Sequence, residues 1–309
     1  MRIALLLVLL CSAASAQVKT PAPPDPLFSE RERIALANVG LTSVFALARG
    51  LAEGRVRTVR DGVEVAGWGA VAGAGFYAAK DQVGRGRGAL GLGLAFASAS
   101  LAENAATGGG VAGHVRVGFG PADLRLRTPL ATRPGLAVAV EVDPLGAVAL
   151  VAVPLTGGRP VVRGGALTYV HPALERQQSG GFYTPGMAVG RVVLTEDDPR
   201  DLVVRHETIH LVQAVQASAV TPYGTLGSAW RGGRLTSRGG AVRWDVRTDW
   251  LYGALGGLDK LLADGPEDGW AEFEAYGLDS PPDPPYESGF FPTPCLPRPP
   301  DMVCNAGGR

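Results

Sequence analysis

Between residues 34 and 102 the chain alternates long charge-free runs with charged breaks. The runs 34–48, 65–79 and 88–102 are each 15 residues long and end at Arg49, Lys80 and Glu103. Runs of this length, dense in Ala and Gly, predict three helices. Gly69 and Gly73 stand at the spacing that lets two helix backbones approach closely. Fifteen helical residues cover about 22 Å, short of the roughly 30 Å hydrocarbon core of a bilayer. The first expectation is a compact three-helix subdomain; the second is insertion or docking of these helices at a membrane.

From residue 109 the pattern shortens. Val115-Arg116-Val117 and Leu124-Arg125-Leu126 alternate, while 136–142, 147–153 and 190–195 are short apolar runs punctuated by Gly, Pro and Asp. These predict strands in antiparallel hairpins. Asp197-Asp198-Pro199 signals a helix entry, and helical patterns follow over about 200–219, 242–262 and 269–277. The expectation is an α+β chain with a Gly/Ala-rich helical subdomain over 31–108, an antiparallel β region over 109–198 and a helical region over 199–279. A Pro-rich tail fills 280–309.

Composition narrows the function. With 29 basic and 29 acidic side chains the formal net charge is zero, which argues against a broad basic face for nucleic acid. Three Cys in 309 residues exclude a disulfide-built miniature scaffold. Met1-Arg2, the apolar stretch 3–11 and Ala14-Ser15-Ala16 read as a secretory signal peptide over 1–16, followed by a Pro-rich linker over 17–30. Export to a periplasmic, cell-envelope or extracellular site follows. Cys295 and Cys304 then remain in an oxidising compartment, where a local disulfide across the tail is expected.

One motif carries chemistry. His206-Glu207-Thr208-Ile209-His210 is an H-E-x-x-H sequence inside a helical pattern, and it holds two of the chain's four histidines. One turn apart on a helix, both imidazoles can bind one zinc ion. Glu207, offset from them, is placed to act as general base on a water made acidic by the metal. Val204, Leu211 and Val215 fall on the other side of the helix, and Gln213 falls beside the histidines as a candidate either to support one of them from behind or to contact substrate. One zinc ion per chain is expected.

The third ligand sets the subclass. A metzincin needs Gly and His at positions occupied here by Gln213 and Gln216, so that class is rejected. Asp249-Trp250-Leu251-Tyr252-Gly253 has the D-x-x-Y-G form of an aspzincin, but Thr248 is adjacent to Asp249 rather than two residues before it. Asp249 also points away from the apolar face of Leu251, Leu255, Leu258 and Leu262. It stays as an alternative ligand.

Trp270-Ala271-Glu272-Phe273-Glu274-Ala275-Tyr276 resembles the second motif of the gluzincin metallopeptidases. Within them it is similar to the E-x-E-A-D helix of the CAAX-protease-like and heat-shock membrane metallopeptidases. The resemblance covers only HETIH and EFEAY. It implies a zincin-like region around the HExxH helix, with Glu272 as the third zinc ligand and Glu274 as the alternative. The position of the family's closing Asp, which orients a zinc-bound histidine, is held by Tyr276. An added substrate strand at a sheet edge beside the zinc is expected, and 190–195 lies well for it. His171, Tyr223, Arg234 and Tyr252 are candidate oxyanion stabilisers.

The resulting expectation is an exported zinc metallopeptidase acting on a peptide or protein, with no nucleic-acid partner and with membrane association through the N-terminal helices as an option. The alternative is a non-catalytic, zinc-containing structural or interaction protein of the cell envelope.

Overall fold

Ser29 and Thr58 each accept a hydrogen bond from the backbone N–H three residues on, and the carboxylates of Glu32 and Asp61 bond back to the capping residue. These reciprocal caps open α1 (Glu30–Ala52) and α2 (Val59–Gly84). Next comes α3 (Gly88–Thr107), which stops where Gly108 turns left-handed. The structure is a computed structural model that describes residues 28–128, 138–172, 186–195, 202–222 and 242–246, with Tyr252, Ala254, Ala271, Glu274, Ala275 and Leu278. The signal peptide, most of the linker, and the tail with Cys295 and Cys304 lie outside the described residues.

The three expected helices are present, but the charges that end their apolar runs do not face water. Arg49, Lys80 and Glu103 are all buried inside the helices. The small-residue spacing does what it predicts. A Cβ on Gly73 would stand 2.7 Å from Val39 Cα, and one on Gly69 would stand 2.9 Å from Ser43 Cα, so α1 and α2 touch backbone to backbone. By length and composition α1 is long and apolar enough to cross a membrane, and 39% of its 18-residue apolar window is buried inside the protein.

Two four-stranded sheets follow. The first has the order β1 (His114–Phe119), β2 (Ala122–Arg127), β3 (Val138–Val142), β8 (Val242–Val246). The second has the order β4 (Arg159–Arg163), β5 (Ala166–Val170), β7 (Val192–Thr195), β6 (Gly186–Val189). An α+β class is therefore correct, but the β region is not all antiparallel: β3 pairs with β8 and β5 with β7 in parallel.

Three expectations need correction. The run expected as a strand at 147–153 lies in α4 (Pro144–Leu155). Asp143 caps it by accepting from Leu145 N at 3.3 Å and Gly146 N at 2.9 Å, and Pro144 sits in the first turn. A continuous apolar run has no period of its own, so the cap decides between helix and strand. Residues 242–246, expected to begin a helix, form β8; Val-Arg-Trp-Asp-Val alternates with the strand period. Finally, β7 is interior, paired with β5 on one side and β6 on the other, so 192–195 offers no free edge for a substrate.

Sheet faces explain the central position of α5 (Leu202–Val220). On one side it meets the second sheet, where Leu211 packs with Ala166 and Val193. On the other, Ile209, Val212, Val215 and Ala219 join the core formed with α1, α2 and α3. The opposite face of the second sheet is covered by α4, through Ala149 against Tyr169 and Val192.

The first sheet is turned around. Its inward face carries Arg116, Asp123 and Glu141, all buried, while Val115, Val117 and Phe119 face out. Glu103 of α3 accounts for the inversion. It accepts from Arg116 Nη1 at 2.9 Å and Arg125 Nη2 at 2.6 Å, and Arg116 also pairs with Asp123. Arg191, from the turn before β7, pairs with the same Asp123. Buried charges are tolerated because they are paired.

Candidate metal centre

On α5, His206, Glu207 and His210 are all buried. The two rings lie with centroids 4.9 Å apart and planes at 78°, which brings the Nε2 atoms to 3.2 Å. Two imidazole nitrogens on one tetrahedral zinc, each at about 2.05 Å, stand about 3.3 Å apart. The donor pair thus fits a zinc ion at the spacing found.

The tautomer of His210 is set from behind. Gln213 Nε2 donates to Ala271 O at 2.9 Å and to Glu274 Oε2 at 2.8 Å, which uses both of its N–H groups. Its Oε1 must therefore be the atom 2.8 Å from His210 Nδ1, and that nitrogen must carry the proton. Nε2 then carries a lone pair, on the side that faces His206 Nε2, where a metal would be held.

Beyond Glu274 the chain of contacts ends on a buried cation. Lys80 Nζ donates to Glu274 Oε2 at 2.7 Å, Gln216 Oε1 at 2.7 Å and Asn38 Oδ1 at 2.8 Å, so all three of its protons are engaged. Asn38 donates in turn to Glu274 Oε1 and to Ile34 O. Gln216 donates to Thr42 Oγ1 at 2.8 Å. Burial pulls the Lys80 ammonium below its usual range, and the touching Glu274 carboxylate opposes that shift.

The expected site residues that fall among the described ones can now be placed. Glu274, the alternative ligand, has both oxygens engaged by Lys80, Asn38 and Gln213, so it stands one residue behind the histidines. Among the described residues no group of three His, Cys, Asp or Glu forms a metal cluster. Glu272, Tyr276, Asp249, Tyr223 and Arg234 lie outside the described residues. Tyr252 is helical and half-buried. His171 bonds through Nε2 to Thr156 Oγ1 at 3.0 Å, on the α4 side of the second sheet and away from α5, so it takes no part in the site. His114 contacts Glu103 at 3.1 Å.

No protein-family model matches this chain, and comparison with curated proteins and with solved structures returns no match. Function must therefore be read from the side chains themselves.

The strand beside Glu207 is β6, which ends its sheet among the described residues. Its first residue is Gly186, where a Cβ would stand 3.1 Å from Glu207 Cγ and would also meet Val203 Cγ1. Only glycine lets this strand lie so close to α5 at Val203 and Glu207. Sequence reasoning missed this contact along with Lys80, Asn38 and Gln216. A signal for the last three was present: an Asn inside an apolar run, a Lys at the end of one, and two Gln on the His210 side of α5. Each demands a buried partner.

Proposed function

We propose that this chain is an exported, zinc-dependent peptidase with a zincin-like arrangement of helices. The observation that carries the reading is the pair of Nε2 atoms at 3.2 Å, one of them held in the metal-binding tautomer by Gln213. His206 and His210 hold the ion, and Glu272 is the third ligand by resemblance to the gluzincins. Zinc bound there supplies Lewis acidity toward the scissile carbonyl and lowers the pKa of water to about 7. The Glu207 carboxylate takes a proton from the attacking water and delivers it to the departing amine nitrogen as the C–N bond breaks. In this reading the substrate lies extended beside β6, the strand against Glu207, with peptide or protein as the substrate class.

The deciding experiment is metal content of purified wild type, Glu272→Ala and Glu274→Ala, followed by hydrolysis of a peptide library by wild type and Glu207→Gln. The reading expects about one zinc per chain, loss of zinc with Glu272→Ala, and weakened but retained zinc with Glu274→Ala. Glu207→Gln should keep zinc and lose about 10²–10⁴-fold in turnover. A wild type without zinc under metal-replete conditions sinks the proposal. Stoichiometric zinc with no hydrolysis transfers it to the envelope structural reading.

A further inference from the structure

Donors and acceptors in the buried network behind His210 can be assigned one by one. Lys80 has only protons to give, so the atoms it meets on Asn38 and Gln216 must be their carbonyl oxygens. The Asn38 amide nitrogen is thereby turned toward Glu274 Oε1 and Ile34 O, and the Gln216 nitrogen toward Thr42 Oγ1. Glu274 receives three donors: Lys80 and Gln213 on Oε2, and Asn38 on Oε1. A carboxylate only accepts, so Gln213 presents its nitrogen to it and keeps its carbonyl oxygen on the side of His210 Nδ1.

A buried carboxylate needs a countercharge as well as donors. Lys80 supplies it, with Nζ 2.7 Å from Glu274 Oε2, and among the described residues no second cation pairs with Glu274. Lys80 lies on α2 and Asn38 on α1, whereas the histidines lie on α5. The charge that governs the imidazole therefore comes from the N-terminal helices.

We propose that Lys80 and Asn38 are positioning residues of the metal centre. Through Glu274 and Gln213 they hold His210 with its proton on Nδ1 and its Nε2 lone pair turned toward His206. The Gly/Ala-rich helices are then part of the hydrolytic centre rather than a separate support. The consequence for zinc rests on the peptidase reading; the orientation of the Gln213 amide rests on the hydrogen bonds alone. Ala271 O is a second acceptor for the Gln213 nitrogen, so loss of the ion pair loosens the amide and does not release it.

The test exchanges the ion pair for apolar side chains of similar size in the full chain, Lys80→Met/Glu274→Leu. Removing both charges together strands neither, so urea unfolding should return close to the wild-type midpoint. Zinc affinity, read by competition with a chromophoric chelator, should nevertheless be about 10–100-fold weaker. Long-range proton–nitrogen NMR of the metal-free imidazoles should show wild-type His210 protonated on Nδ1 and bare on Nε2. In the double variant the two nitrogens should give signals averaged over both tautomers. Val65→Ala is the control: this buried residue lies 15 positions before Lys80 on α2, about 22 Å along the helix. It should lower the urea midpoint and leave zinc affinity and the His210 signals unchanged. Where the double variant does not fold, Asn38→Leu keeps the ion pair, removes one donor to Glu274 and should weaken zinc by about threefold.

Wild-type zinc affinity or wild-type His210 signals in the folded double variant, or wild-type affinity in Asn38→Leu, overturn the proposal. So does a wild-type His210 protonated on Nε2, or a loss of affinity in Val65→Ala equal to that of the double variant, because zinc would then follow stability alone. A wild type that binds no zinc overturns the peptidase reading, and the His210 signals still decide this one.

Discussion

Replacing Glu274 by Gln tests whether the Lys80 pair is a true buried ion pair. The two side chains are 3% and 2% exposed. Glu274→Gln leaves the ammonium facing an amide with no countercharge, while Asn38 and Gln216 still accept from it. Breaking one partner of a buried pair costs about 3–5 kcal/mol. That is a large share of the roughly 5–15 kcal/mol that holds a domain folded. Lys80→Met should cost a similar amount, since it strands the carboxylate. The double variant removes both charges, so most of the stability should return and the coupling between the two sites should be several kcal/mol. Urea unfolding followed by far-ultraviolet circular dichroism measures all four corners of the cycle. Single variants that each cost under about 1 kcal/mol, or costs that simply add in the double variant, would refute a buried, mutually dependent pair.

Gln213→Leu should lower zinc affinity by about 10–100-fold, because the His210 Nδ1 proton loses its acceptor; competition with a chromophoric chelator measures it. Gly73→Ala should lower the thermal midpoint of the helical core by overpacking worth about 1–3 kcal/mol or more, because the new methyl meets the α1 backbone, which cannot rotate away. Burial pulls His114 below its usual 6.5, with Arg125 acting in the same direction and Glu103 opposing. Below about pH 6.5 the unfolded chain therefore takes up a proton that the folded chain does not. This contribution to stability is full above that pH and declines as pH falls, until the folded imidazole protonates too. His114→Asn should flatten the decline in pH-dependent urea midpoints.

The three N-terminal helices were legible because charge-free runs of 15 residues with small-residue spacing admit few other structures. The H-E-x-x-H helix was legible for a different reason, since two histidines four residues apart share a face only if the backbone between them is helical. Other features depended on partners distant in the chain. Alternation in Val115-Arg116-Val117 defines two faces of a strand, but only Glu103, on another element, makes the arginine side the inner one. The apolar run in α4 became a helix through the Asp143 cap rather than through any period. Lys80 reads as the end of a segment until Glu274, 194 residues later, is placed against it.

That last separation bears on how the protein is made. On the proposed export, a chain crossing a membrane N-terminus first delivers Asn38 and Lys80 well before Glu274. Asn38 and Glu274 are 236 positions apart, and Gln213 is not held toward His210 until the late carboxylate arrives. On the proposed reading, assembly of the hydrolytic centre is therefore a closing event in biogenesis. On the same reading, a chain still in transit carries its histidines without the Gln213 alignment that Glu274 supports.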